Sequence, residues 1–306
     1  MASNPKAQTA HKSNSYPKPT IIQPLLKHKQ TIIILHGQGS NAPTFAPPLL
    51  TTPISPSQTL HTAFPHTKFI IPTASARRAK HHNRAMLTQW FDHPPPSQLP
   101  SHEEWQTAGL RETSAFIHAL LSAEIHDVGA GNVILGGLSQ GCAAALIALL
   151  TWQGEPLGAA FGMCGWLPFC AQMAELANPV SNDGEGDDAD LFEKAGGEVA
   201  MGPGAQAVGF LCEELGMDVE HNGSAMSFQR TPLFLGHGVL DEKVPLELGQ
   251  GAASCLKGMG MSVEWKEYVG LAHWYSGPML GDLVKFLQHG RGVHMQGEEC
   301  LDSPCI

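Results

Sequence analysis

"VILGGLSQGCAAALIALL", residues 133–150, decides how this chain is read. A β-branched apolar start runs into Gly137-Leu138-Ser139-Gln140-Gly141, and a long apolar tail rich in alanine follows. A strand, a sharp turn and a helix buried nearly all round account for that order. The turn spells G-x-S-x-G, whose two glycines let the chain bend tightly enough to project a serine from the strand end. The helix behind it would aim its N–H groups, and the positive end of its dipole, at charge developing beside Ser139. A hydroxyl nucleophile needs a base, and the base needs an orienting acid.

Working outward, strand-like runs at 31–35, 68–72, 132–138, 157–165, 231–236 and 261–269 alternate with helical patterns at 103–125, 140–152, 245–257 and 277–289. Continuous apolar strands alternating with helices predict a mostly parallel sheet covered on both faces, with the reactive groups gathered at its carboxyl edge. "TPLFLGHGVLDEKVP" puts Asp241 just beyond one strand, and "VEWKEYVGLAHWYSG" puts His273 beyond the last. Ser139, His273 and Asp241 are the candidate nucleophile, base and acid. Glu242 stands as an alternative acid, His237 as an alternative base, and Ser139 as a mere turn residue is the structural alternative. Cys142, three residues past Ser139, is expected to be buried and inert.

A second glycine loop, Gly37-Gln38-Gly39-Ser40-Asn41-Ala42, follows the first long strand and spells G-x-G-x-x-A. That spacing also opens dinucleotide sites, which want an acidic residue about 20 positions further on. No Asp or Glu precedes Asp92. The alternative is that the loop presents the Gln38 backbone N–H to an oxyanion, together with that of Gln140.

The 306 residues carry 18 Lys and Arg against 28 Asp and Glu, a net charge of −10. Basic residues are concentrated before Asp92, but they are dispersed and no aromatics interleave with them, which argues against nucleic acid. No apolar run is long enough to span a bilayer, and residues 1–20 lack the apolar core of a signal peptide, so a cytoplasmic location is expected. Seven cysteines without a C-x-x-C pair give neither a disulfide framework nor a zinc pattern. His81-His82 and "HEEW" at 102 lack the partner of H-E-x-x-H. No metal and no organic cofactor is expected. Residues 1–29 read as a disordered tail, 30–290 as one domain with a lid-like or disordered acidic, Gly-rich insertion at 171–230, and 291–306 as a flexible tail.

"LHGQGSNAPTF", "FIIPTA", "QWFD" at 89–92, "NVILGGLSQGCAAAL", "CGWLP" at 164–168, "GHGVLDEKVP" and "GLAHWYSGPMLGDLVKFL" together resemble the phospholipase/carboxylesterase family of α/β-hydrolases. That family includes acyl-protein thioesterases and small lysophospholipases. The resemblance covers roughly residues 30–170 and 231–289. It implies an α/β-hydrolase fold and cleavage of an acyl ester or thioester, with an S-acylated protein or a lysophospholipid among the substrates. It also implies a Ser139–His273–Asp241 triad, oxyanion donors at Gln38 and Gln140, and Trp166 in the wall of the acyl pocket. The chain departs from the family's pattern at Gln38, usually apolar, at Trp274-Tyr275, usually small or polar, and in its long acidic insertion. Trp274 is thereby a candidate substrate-contacting residue that narrows the entrance. A metabolite-specific hydrolase with the insertion as its lid, and a non-catalytic binding protein on the same scaffold, are the alternatives.

Overall fold

A computed structural model describes residues 15–99, 101–177, 201–218 and 226–289. Its central sheet has seven strands, in spatial order Thr20–Ile22 (β1), Thr67–Ile71 (β5), Gln30–Leu35 (β2), Val133–Leu138 (β8), Ala159–Met163 (β9), Leu233–Gly238 (β10) and Val263–Tyr268 (β11). β1 runs antiparallel to β5, and the other neighbours pair in parallel. All six strand-like runs of the sequence are therefore in the sheet. Two small hairpins lie outside it, Pro53–Ser55 with Gln58–Thr59 (β3 and β4) and Ala76–Ala79 with Ala85–Thr88 (β6 and β7).

The continuous apolar strands have a simple cause. Ile33 and Leu35 of β2 point into one core, while Ile32 and Ile34 point into the other, and all four are buried. The first core is closed by Glu104–Val128 (α3), Gln140–Leu150 (α4), Cys170–Ala177 (α5), Pro203–Leu215 (α6) and Leu246–Gly258 (α7). The second is closed by Ala42–Thr51 (α1), Leu60–Ala63 (α2) and Gly277–His289 (α8). Every residue of α4 is buried, between the sheet and α3, so its sequence has no polar stripe. In α3, Leu110, Ile117 and Leu121 form the inward stripe at helical spacing.

Two boundaries differ from the sequence expectation. The tail expected to be disordered through residue 29 is ordered from residue 15: Thr20, Ile21 and Ile22 pair with Ile71, Ile70 and Phe69 at the sheet edge. Tyr16 also stacks on Phe116, with ring centroids 3.9 Å apart. The prolines around "TII" mask a strand signal, yet prolines are tolerated beside an edge strand. Within the stretch expected to be a lid-like or disordered insertion, α5 and α6 pack into the core. Val208, Leu211, Cys212 and Leu215 recur on the inner face of α6 and are buried. Residues 1–14, 178–200, 219–225 and the expected C-terminal tail 291–306 lie outside the described residues. No helix among the described residues is long and apolar enough to cross a membrane.

Candidate active site

Ser139 sits between the end of β8 and the first residue of α4 with φ 57° and ψ −124°, a conformation L-residues rarely adopt. The turn is possible because the chain passes itself at two points. A Cβ on Gly137 would lie 2.3 Å from the Gly141 backbone, and one on Gly141 would lie 2.3 Å from the Leu35 carbonyl oxygen. Ser139 N–H donates to Met163 O at 2.8 Å, which anchors the turn to β9. The first N–H groups of α4 have no acceptor within the helix, and the positive end of its dipole lies at Ser139, its N-cap residue.

The structure brings His273, not His237, to this serine. His273 Nε2 is 2.9 Å from Ser139 Oγ, and its Nδ1 is 2.9 and 2.8 Å from the two Asp241 carboxylate oxygens. Asp241, rather than Glu242, is the acid in contact, and it is held from several sides. Its Oδ1 accepts from the N–H groups of Lys243 and Val244 at 3.0 and 2.9 Å. His237 Nε2 lies 3.3 Å from Oδ2 and 2.9 Å from Val244 O, so one N–H bridges the acid and its own loop. Burial alone would raise the Asp241 pKa, but hydrogen bonds from His237, His273 and Val244 outweigh it and hold the carboxyl well below its ordinary value. An ionised Asp241 requires a proton on His273 Nδ1, which leaves the Nε2 lone pair for the serine hydroxyl. Cys164 Sγ donates to Trp274 O at 3.2 Å, tying the His273 loop to the end of β9.

The opposing loop after β2 is built around a neutral imidazole. His36 Nδ1–H donates to Gly37 O at 2.7 Å, and His36 Nε2 accepts from Ala74 N–H at 3.1 Å. Only the uncharged ring can do both, and burial pushes the His36 pKa down to about 4. Trp90 Nε1–H donates to His36 O at 2.7 Å. Gly37 then lies against the nucleophile: a Cβ there would sit 3.4 Å from Ser139 Cβ. Gly39 N–H donates to Thr88 O and Ser40 N–H to Gly37 O, while the Gln38 N–H has no acceptor among the described residues. The Gln38 side chain is turned aside, its Nε2 donating to Gln89 Oε1 at 2.7 Å.

One role was not legible in the sequence, and another was read only in outline. The Gln140 side chain, fully buried, accepts from Trp90 N–H at 2.9 Å and donates to Phe91 O at 2.8 Å, so it fastens the "QWFD" segment over the turn. His237, whose place before a glycine at a strand end reads as structural and hydrogen-bonded to the Asp241 loop, does contact both the acid and that loop. Cys142 is buried, burial raises its thiol pKa, and it packs against Gly162 and Gly165.

Trp166 is buried and packs at 68° against Phe91, with ring centroids 6.0 Å apart. It borders a cavity of about 220 Å³ whose other walls come from Leu99, the 167–171 segment and the start of α7. Gly165, just before it, is close enough to the turn that a Cβ there would lie 3.0 Å from Ser139 O. Trp274, next to His273 in the chain, is exposed, edge-on to Phe45 and against Tyr275.

A family model described as Phospholipase/Carboxylesterase matches residues 16–183 and 207–290. The chain is 24% identical over 275 residues to acyl-protein thioesterase 1 of Gibberella zeae, covering 88% of this chain and 94% of the relative. It is also 24% identical to carboxylesterase SOBER1 of Arabidopsis thaliana, covering 90% and 96%. Among solved structures, acyl-protein thioesterase 2 of Zea mays superimposes with a TM-score of 0.63 at 25% identity, over 90% of this chain and 99% of that one. With the strand order, the serine turn and the family match in agreement, the chain belongs to the phospholipase/carboxylesterase family of α/β-hydrolases.

Proposed function

We propose that this chain hydrolyses carboxylic esters or thioesters through an acyl-enzyme on Ser139. The observation that carries this is the continuous chain from Asp241 through His273 to Ser139, at 2.8 and 2.9 Å. His273 Nε2 takes the hydroxyl proton as Ser139 Oγ attacks the acyl carbon, and Asp241 stabilises the imidazolium that results. The tetrahedral oxyanion lies between the backbone N–H groups of Gln38 and Gln140, where each donor is worth roughly 2.7–4 kcal/mol. His273 passes its proton to the departing alkoxide or thiolate. It then takes a proton from water, whose hydroxide attacks the ester, and returns that proton to Ser139.

Among the relatives, one is named an acyl-protein thioesterase and another a carboxylesterase, so thioesters and oxyesters are both in scope. Trp166 lines the acyl side of the site, and Trp274 overhangs the leaving-group side. The tests are hydrolysis of p-nitrophenyl acetate and labelling by a fluorophosphonate probe. The native chain should turn over the ester and carry the label on Ser139, and Ser139→Ala should lose both. An unlabelled native protein, or an active Ser139→Ala, overturns the proposal.

A further inference from the structure

The two residues assigned to the oxyanion, Gln38 and Gln140, come from different strand ends, yet their side chains reach one short segment. Gln140 Oε1 accepts from Trp90 N–H at 2.9 Å, and its Nε2–H donates to Phe91 O at 2.8 Å. Gln38 Nε2–H donates to Gln89 Oε1 at 2.7 Å, the only hydrogen bond that Gln38 makes among the described residues. Beside it, Gly39 N–H donates to Thr88 O at 2.7 Å, and the Trp90 indole N–H to His36 O at 2.7 Å. Residues 88–91 therefore strap both loops. The strap is itself anchored elsewhere: Gln89 N–H donates to Ser75 O at 3.2 Å, and the Thr113 hydroxyl of α3 to Trp90 O at 2.6 Å.

Peptide planarity makes this strap matter for the reaction. The Gly37–Gln38 peptide has its carbonyl oxygen pinned by His36 Nδ1–H at 2.7 Å and by Ser40 N–H at 3.2 Å. In a trans peptide the Gln38 N–H must then point the opposite way. The other side of residue 38 has no such pin. No described residue donates to its carbonyl, and the side-chain bond to Gln89 holds it instead. Gln89 is 0% exposed, so water does not compete for the accepting end of that bond. A donor stabilises an oxyanion only while it is held in place, and losing one outright costs about 10²–10³ in kcat.

We propose that Gln89 is a positioning residue for the reaction: through the Gln38 side chain it keeps the Gln38 N–H at the spacing from the Gln140 N–H that the oxyanion needs. This rests on the acyl-enzyme reading of Ser139. Gln89 acts at one remove, on the residue that carries the donor. Without its bond the Gln38 N–H is still present but free to swing, so the loss is a fraction of that for a missing donor.

The experiment measures kcat and KM for p-nitrophenyl acetate, per serine labelled by a fluorophosphonate, in the native chain, Gln38→Met, Gln89→Met and the double variant. Methionine has a similar volume and cannot make the bond. Each single variant should lower kcat about 10-fold with KM within about twofold of native, because a loosened donor weakens transition-state binding and not substrate binding. The double variant should be no slower than the singles, since all three remove the same bond. The rate of fluorophosphonate labelling, which places a phosphoryl oxygen where the oxyanion forms, should slow in step with kcat. A Gln89 with only a structural role would lower Tm and the fraction of labelled serines, and leave kcat per labelled serine unchanged. Gln38 is only partly buried, so its variant tests the bond even if Gln89→Met fails to fold. If the native chain is active but the single variants keep kcat within about twofold, or their effects multiply in the double variant, the inference is overturned and the acyl-enzyme reading stands. If the native chain neither hydrolyses the ester nor takes the label, both fall.

Discussion

Gln140 and Gln106 are both fully buried glutamines near the candidate site, and they differ in one respect. Gln140 has both amide atoms bonded, to Trp90 N–H and Phe91 O. Gln106 has neither atom bonded to a described residue. The same contrast separates their surroundings. Around Ser139 the polar groups form a closed chain from Val244 and His237 through Asp241 and His273 to the serine. Gln106 and the Trp166 Nε1–H, by contrast, are buried with no hydrogen-bond partner among the described residues. A satisfied network is rigid and holds reacting groups at fixed distances, whereas unsatisfied groups lower stability until something binds them. One corner has its polar groups bonded to one another, and the other keeps polar groups unpaired.

The largest effect should come from breaking the organised corner at its centre. Ser139→Ala is expected to lower kcat by on the order of 10⁶, as loss of the nucleophile does in other serine hydrolases. Steady-state ester hydrolysis measures it. A residual rate within a hundredfold of native would mean that the closed chain is structural rather than catalytic.

Acid should loosen the scaffold next. Burial pushes the pKa of His36 and of His93 from 6.5 down to about 4. The folded chain keeps both rings neutral to about pH 4, while in the unfolded chain they protonate near 6.5. The unfolded state therefore binds more protons between these limits, and stability falls as pH falls through that window. The contribution is complete above about pH 6.5 and amounts to roughly 3 kcal/mol per ring at its limit. Urea midpoints of the native chain and of His93→Asn, measured from pH 7 to 4, should differ in slope across the window. Parallel profiles would assign the acid sensitivity elsewhere.

Gln140→Leu should then cost about 2–4 kcal/mol, because Trp90 N–H and Phe91 O would be left buried and unpaired. Activity should drop with it, as the segment that holds His36 through the Trp90 indole loosens. Urea denaturation and kcat read the two effects separately. A stable variant with unchanged kcat would break the link between Gln140 and the Gln38 loop.

The grouping of Ser139, Asp241 and His273 was legible before any coordinates, for a physical reason. A strand-turn-helix with two glycines around a serine has few alternatives, and parallel-sheet topology forces Asp241 and His273 onto the same edge. Chain order and strand-end placement already favoured Asp241 over Glu242 and His273 over His237, and the distances put those two side chains in contact. The prolines at 43, 47 and 48 hid α1, which forms because Asn41 caps Thr44 N–H while Phe45 and Leu49 pack inward. The "TII" edge strand was hidden in the same way. The cavity was illegible altogether. Gln106 belongs to a helix whose buried face mixes Leu110, Ile117 and Leu121 with Thr113, Ser114 and Glu124, and only the three-dimensional packing reveals that its amide lacks a partner.

That missing partner gives the smallest and most discriminating prediction. In the unliganded chain the Gln106 amide is buried without a protein partner, a condition that costs about 1–3 kcal/mol. Gln106→Met fills nearly the same volume without polar atoms, so it should stabilise the chain. For a domain of this size each kcal/mol raises Tm by about 2–4 °C, which puts the expected gain within reach of calorimetry. Gln140→Met, at an equally buried glutamine, should move Tm the other way, because there the amide is fully bonded. Opposite signs at two buried glutamines would tie the difference to hydrogen-bond satisfaction rather than to helix propensity or packing volume. A loss of stability at both would mean that Gln106 is bonded in solution, and the contrast between the two glutamines would lose its physical basis.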